Sequence, residues 1–179
     1  MTEIANTYAQ ALYDLAADEG LDQAILQELS ALQQSFQQEP DFIRLLGNPA
    51  LSKQERCQIL DNSFQGKIAP YVLNFMKILT EKGYIRHFSA CCDAYRHCYN
   101  QAHNILPVIA TTALPLNPEQ QQRLSQKLAA ITGKAIELTN RLDSAVMGGV
   151  RLDYDGMRLD DTVRHRLDTI GNLLKNSVL

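Results

Sequence analysis

The chain has 179 residues, 45% hydrophobic and 21% charged, with a net charge of −3 and a pI near 5.8. This is enough apolar material for one large core or two small ones, and the charge gives no electrostatic support for a nucleic-acid or anionic-membrane partner. Nothing approaches the ~20 consecutive apolar residues of a membrane span; the richest run, Tyr71 to Leu79, is interrupted by Lys77.

Met1-Thr2-Glu3-Ile4 has neither a basic nor an apolar leader segment, so no secretory leader is expected there. Thr2 is placed to cap a first helix whose apolar stripe is Ile4, Ala5, Tyr8, Ala9, Leu12, Leu15 and Ala16. Gly20 is its stop. A second helix carries Ile25, Leu29, Leu32 and Phe36 at helical steps, with a glutamine-rich outer side. Pro40 opens a short third helix that ends near Gly47, and Asn48-Pro49 is a turn signal.

Ser52-Lys53-Gln54-Glu55 is a capping box, in which serine and glutamate each satisfy an orphan backbone N–H. The helix it starts carries Cys57, Ile59, Leu60 and Phe64 and stops at Gly66. A fifth helix is expected from about Ile68 to Lys82, with Pro70 in its first turn and Gly83 as its stop. Its apolar set is Tyr71, Val72, Phe75, Ile78 and Leu79. In the sixth helix Phe88, Cys91, Cys92, Tyr95, Cys98, Tyr99 and Ala102 share one face.

The pattern then changes. Ile105 to Thr112 is short and β-branched, and reads as a strand. Asn117-Pro118-Glu119-Gln120 starts another capped helix, with Leu124, Leu128 and Ile131 expected inward and Gly133 as its end. Ala135 to Leu142 alternates as a half-buried strand, Ile136, Leu138 and Leu142 on one side.

Gly149 to Asp160 predicts a hairpin around the type I′ turn pair Asp155-Gly156. A two-residue loop places Tyr154 opposite Met157 and Leu152 opposite Leu159 on one face. On the other it places Asp153 opposite Arg158 and Arg151 opposite Asp160, two pairs of opposite charge. Asp161 can cap a last helix striped by Val163, Leu167, Ile170 and Leu174, with Arg164, His165 and Arg166 on its outer side.

The expected fold is therefore mostly α with a small α+β part. An N-terminal six-helix antiparallel bundle over 1–104 precedes a C-terminal domain over 105–179 of a few strands and two helices. The four cysteines, 57, 91, 92 and 98, lie within helical patterns and lack the spacing of a disulfide framework, which points to a reduced, cytosolic compartment.

Catalytic signals are sparse. His87, Cys91 and Cys98 fall within about 40° on a helical wheel, so a thiol or metal site is one reading; buried structural thiols are the other. Gly148-Gly149 lacks the Lys-Ser/Thr of a phosphate loop and suits a close backbone approach at a strand entry. Asp160-Asp161 is explained by a hairpin end and a helix cap. No catalytic residue, cofactor or metal is expected. Tyr8, Ala11 and Leu15 follow one edge of the first helix, and the small Ala11 leaves room for a groove that could take a partner's amphipathic helix. The same residues could equally belong to the core.

Tyr8-Ala9-Gln10-Ala11-Leu12-Tyr13-Asp14-Leu15-Ala16 resembles the opening segment of the ATP synthase delta subunit family, whose mitochondrial counterpart is the oligomycin-sensitivity-conferring protein. The resemblance continues through Asn48-Pro49, Ser52 to Glu55, Leu79 to Gly83 and Leu142 to Val150, and so spans the chain. Asp160-Asp161-Thr162 and Arg164-His165-Arg166 depart from the family's usual pattern, as does the hairpin tip, which leaves open the carboxy-terminal partner surface.

The resemblance implies a non-catalytic stator, or peripheral-stalk, component of the rotary proton-translocating ATP synthase. It implies a helical domain that binds alpha-subunit N-terminal segments and a second domain that binds the C-terminal ends of the b subunits. Position by position, it points to Tyr8, Ala11, Leu15, Ile78 and Leu79 for the alpha helix; no residue is assigned to the b stalk. It implies a peripheral place on the cytoplasmic face of the bacterial inner membrane, without insertion into the bilayer. The alternatives are a helical adaptor of another complex and an enzyme using His87, Cys91 and Cys98.

Overall fold

The computed structural model describes residues 3–146 and 148–160. The Thr2 cap and the last helix expected from sequence, with Asp161, Arg164, His165, Arg166 and the Val163–Leu174 stripe, lie outside the described residues. The chain is mostly helical with one small four-stranded sheet. It divides into two compact units, Met1–Tyr99 and Asn100–Leu179.

Six helices precede the sheet: α1 (Glu3–Asp18), α2 (Asp22–Gln38), α3 (Pro40–Leu46), α4 (Lys53–Phe64), α5 (Pro70–Glu81) and α6 (Phe88–Ala102). A 3₁₀ turn, Ile85–His87, leads into α6. The helix boundaries follow local chemistry. Gly20, Gly66 and Gly83 all have φ between +67° and +78°, a region where a Cβ is strained. At α4 the Ser52 hydroxyl accepts the Glu55 N–H (3.2 Å) and the Glu55 carboxylate accepts the Ser52 N–H (2.8 Å). Hydrogen bonding from Ser52, its backbone N–H first and its hydroxyl second, holds the Glu55 carboxyl below its ordinary range.

One start has Pro70 as its local signal and takes its cap from a distant residue. At α5 the Ala69 N–H donates to Glu28 Oε2 at 2.9 Å. A carboxylate from α2 therefore caps α5, where the helix dipole favours negative charge. Asp61 of α4 and Lys77 of α5 form an ion pair at 2.6 Å.

The helical unit has one core, with Ile25, Leu29, Leu46, Leu60, Val72, Met76, Leu79, Ile85, Phe88 and Tyr95 fully or almost fully buried. Each such side chain contributes about 1.5–3 kcal/mol by leaving water. Phe36 is the centre of an aromatic group, with ring centroids 5.4 Å from Phe42, 6.1 Å from Phe64 and 5.2 Å from Phe88. The buried Tyr95 hydroxyl donates to Asp22 O at 3.0 Å, which satisfies the one polar atom of that ring.

In the second unit, β1 (Ile105–Thr112), α7 (Pro118–Thr132), β2 (Ala135–Leu142), β3 (Val150–Tyr154) and β4 (Met157–Asp160) follow in order. The sheet order is β2-β1-β3-β4. β1 and β2 are parallel, joined through α7; β1–β3 and β3–β4 are antiparallel. Asn117 and Gln120 form the expected capping box of α7, and Gly133 ends it in the left-handed region.

The hairpin has the register read from its sequence: Tyr154↔Met157, Asp153↔Arg158, Leu152↔Leu159 and Arg151↔Asp160. Asp155 and Gly156 both have positive φ, as a type I′ turn requires. Arg158 Nε donates to Asp153 Oδ1 at 2.6 Å, and Arg151 Nε lies 3.6 Å from Asp153 Oδ2. The Arg158 hydrogen bond is the main reason the Asp153 carboxyl sits below its ordinary value.

Two inward expectations fail in this unit. Ile131 is 81% exposed, and Leu142 is exposed at the end of edge strand β2. The helical or strand period gives a direction for a side chain, but at an element's last turn no described neighbour reaches these two. The described core is smaller here: Leu106, Val108, Ala110, Leu128 and Leu152.

Candidate functional site

Helix α1 has two apolar faces, and only one is covered. Ala5, Ala9, Leu12 and Ala16 are buried. Three of the four are alanines, which let the helix lie close on the core. The second row, Ile4, Tyr8, Ala11 and Leu15, recurs at steps of four, three and four and stays open. Ile4 is 36% exposed and Leu15 44%, Ala11 is exposed, and Tyr8 is half-buried.

Tyr8 is held from behind. Its ring centroid lies 6.1 Å from that of Tyr84, the residue after Gly83 at the end of α5. This contact ties the open face of α1 to the end of the helix that carries Ile78. Ile78 is itself 44% exposed, an aliphatic side chain facing out of a helix whose other apolar residues are in the core. Sequence alone does not single out Tyr84; its only signal is its place directly after the Gly83 stop.

Leu79 requires a correction. It is 0% exposed and cannot touch a partner. A 100° step separates neighbours on a helix, so Ile78 and Leu79 cannot share an outer face. Leu79 belongs to the core beneath the surface that Ile78 forms. Tyr8, Ala11, Leu15 and Ile78 are therefore the members of the expected set that reach solvent.

The thiol and metal reading is not supported by geometry. His87 is exposed and lies in the 3₁₀ turn, not in the helix whose period placed it beside the cysteines. From His87 to Cys98 the chain rises about 16 Å at helical pitch, too far for one ion. Cys91 is buried, and burial pushes its thiol up to about 11, so it carries almost no thiolate at neutral pH. Cys98 donates to Gln10 Oε1 at 3.2 Å, and burial raises its pKa as well. Among the described residues no group of three or more His, Cys, Asp or Glu side chains is placed to hold a metal.

Gly148 and Gly149 have φ of 154° and 84° and lead into β3, as a strand entry rather than a phosphate loop. The second unit also leaves apolar side chains open: Met157 and Leu159 on edge strand β4 are 58% and 53% exposed. No described helix is long and apolar enough to cross a membrane.

A family model described as the ATP synthase delta (OSCP) subunit matches residues 4–174. The ATP synthase subunit delta of Lactobacillus delbrueckii subsp. bulgaricus is 35% identical over 175 residues, covering 96% of each chain. That of Desulfitobacterium hafniense is 31% identical over 174 residues, covering 97% of each. Among solved structures, a chain of the Toxoplasma gondii mitochondrial ATP synthase hexamer shares the fold with a TM-score of 0.74 at 19% identity, over 97% of this chain and 98% of that one. With 171 of its 179 residues within the family model and two relatives above 30% identity over nearly full length, the chain belongs to the ATP synthase delta (OSCP) subunit family.

Proposed function

We propose that the chain is the clamp between the catalytic head and the b-subunit stalk of the rotary proton-translocating ATP synthase. It catalyses nothing itself. It is a stator component of the peripheral stalk, and by stopping the head from turning with the rotor it lets proton flow drive ATP synthesis. Membership of the delta family supports this role.

The finer assignments follow from it. The six helices before the sheet are packed as an antiparallel bundle, which their glycine-marked turns favour. The N-terminal helix of an alpha subunit lies along the open face of α1 and the outer side of α5, against Tyr8, Ala11, Leu15 and Ile78, with Leu79 as the floor below. The second domain takes the C-terminal ends of the b subunits. The protein sits on the cytoplasmic face of the bacterial inner membrane, held there through the complex.

One observation carries the alpha-binding assignment: an apolar row on α1, beside a buried row, in which Ile4, Ala11 and Leu15 are exposed and Tyr8 is half-buried. A helix under torque has to dissociate slowly. A nanomolar joint requires about 12 kcal/mol, which a few desolvated aliphatic and aromatic anchors can provide.

The test uses Ala11→Arg and Tyr8→Asp in the full-length chain, titrated with the alpha-subunit N-terminal segment. Ala11 is exposed, so Ala11→Arg keeps the helical circular-dichroism signal and loses at least about tenfold in affinity. Unchanged affinity in both variants would place the alpha contact elsewhere.

A further inference from the structure

The open row of α1 has unlike flanks. At 100° per residue, Ile4, Tyr8, Ala11 and Leu15 fill an arc of about 60°. On one side lie the buried Ala5, Ala9, Leu12 and Ala16. On the other, in an arc of about 60°, lie Glu3, Asp14 and Asp18, with Thr7 between them; all four are exposed. The apolar row thus has the core along one edge and a line of carboxylates along the other.

No described side chain of the helical unit forms an ion pair with that line. Asp14 Oδ1 accepts from the uncharged Gln10 amide at 2.7 Å. Among the described residues Glu3, Asp14 and Asp18 are in no ion pair. The sequence explains why: residues 1–43 contain eight Asp and Glu and neither Lys nor Arg, and Arg44 is the first basic side chain of the chain. At α5, Glu81 adds a further carboxylate near Ile78, although its Oε1 already faces the Cys57 thiol at 3.8 Å.

We infer that the helix seated on this face carries a row of Lys or Arg side chains along one edge of its apolar stripe, and that Glu3, Asp14 and Asp18 select for that edge. This rests on the docking role proposed above for the α1–α5 face. Apolar contact gives the affinity, and the carboxylate line decides how the incoming helix is rotated about its axis. A helix with acidic residues on that edge meets like charges and is rejected. Because the carboxylates are exposed, the selection weakens once salt screens them beyond about 8–10 Å.

The experiment titrates the full-length chain, by calorimetry, with two synthetic amphipathic helices of equal length and the same apolar face. One has lysines on the flanking edge, the other glutamates. The lysine helix is expected to bind at least about tenfold more tightly at low salt, with the advantage shrinking as salt is raised. Asp14→Asn with Asp18→Asn, changes at exposed positions, should remove most of that advantage. Equal binding of the two helices, with the asparagine variant silent while Leu15→Asp abolishes binding, would overturn the charge inference and leave the docking face intact. Binding that survives Leu15→Asp, or no binding by either helix, would overturn both.

Discussion

The helical unit gathers Phe42, Phe64 and Phe88 around Phe36 within a core drawn from all six helices, whereas the described core of the sheet unit is five aliphatic residues and one face of one helix. In the first unit a deep core lies beneath helix ends set by local caps. In the second, strand register and charge pairing add to a thinner core, and a one-residue slip would break both Asp153↔Arg158 and Arg151↔Asp160. The difference explains where a surface can be spared for a partner. A unit with a deep core can leave Ile4, Leu15 and Ile78 in water, because its stability does not depend on them.

Phe88→Ala probes this contrast where it is strongest. It removes a ring from the aromatic group and is expected to cost about 3–5 kcal/mol, seen as a lower urea midpoint. Leu152→Ala, in the smaller core, is expected to cost about 2 kcal/mol, the low end for a leucine, because fewer buried neighbours surround it. A larger loss at Leu152 than at Phe88 would reverse the ranking of the two units.

Caps give the next smaller effect. Ser52→Ala and Asn117→Ala each remove one of a reciprocal pair of bonds and should each cost about 1 kcal/mol. Their urea midpoints then separate the units, since the same loss is a larger share of a smaller core's stability. The smallest effect is one of pH. The Asp153 carboxyl is held below its ordinary 3.8, so its contribution is complete above that value and is lost as pH falls through the lowered one. Amide protection factors across β3 and β4, taken relative to the intrinsic rate at each pH, should therefore fall in acid, and Asp153→Asn should remove that dependence.

Much of the fold is legible in sequence, and the reason is local chemistry. Ser52 and Glu55 close their own bonds, as do Asn117 and Gln120, and Asp155-Gly156 fixes every pair in the hairpin. What sequence does not supply is which side of a stripe is covered. Helix α1 reads as one wide apolar band from Ile4 to Ala16, yet the band divides into a buried row, Ala5, Ala9, Leu12 and Ala16, and an open row, Ile4, Tyr8, Ala11 and Leu15. Leu79 and Ile78 read alike, yet a 100° step puts one in the core and the other in solvent. The Glu28 cap on Ala69 is also silent in sequence, because its partners are 41 positions apart. For the candidate surface, family resemblance points to the two helices, and burial decides which of their residues reach a partner.

The most direct test of the clamp is coupled ATP synthesis by membranes stripped of this chain and reconstituted with it. Wild type should restore proton-driven synthesis, while Ala11→Arg should leave ATP hydrolysis by the head untouched and fail to restore synthesis. Full restoration of synthesis by Ala11→Arg would contradict the account.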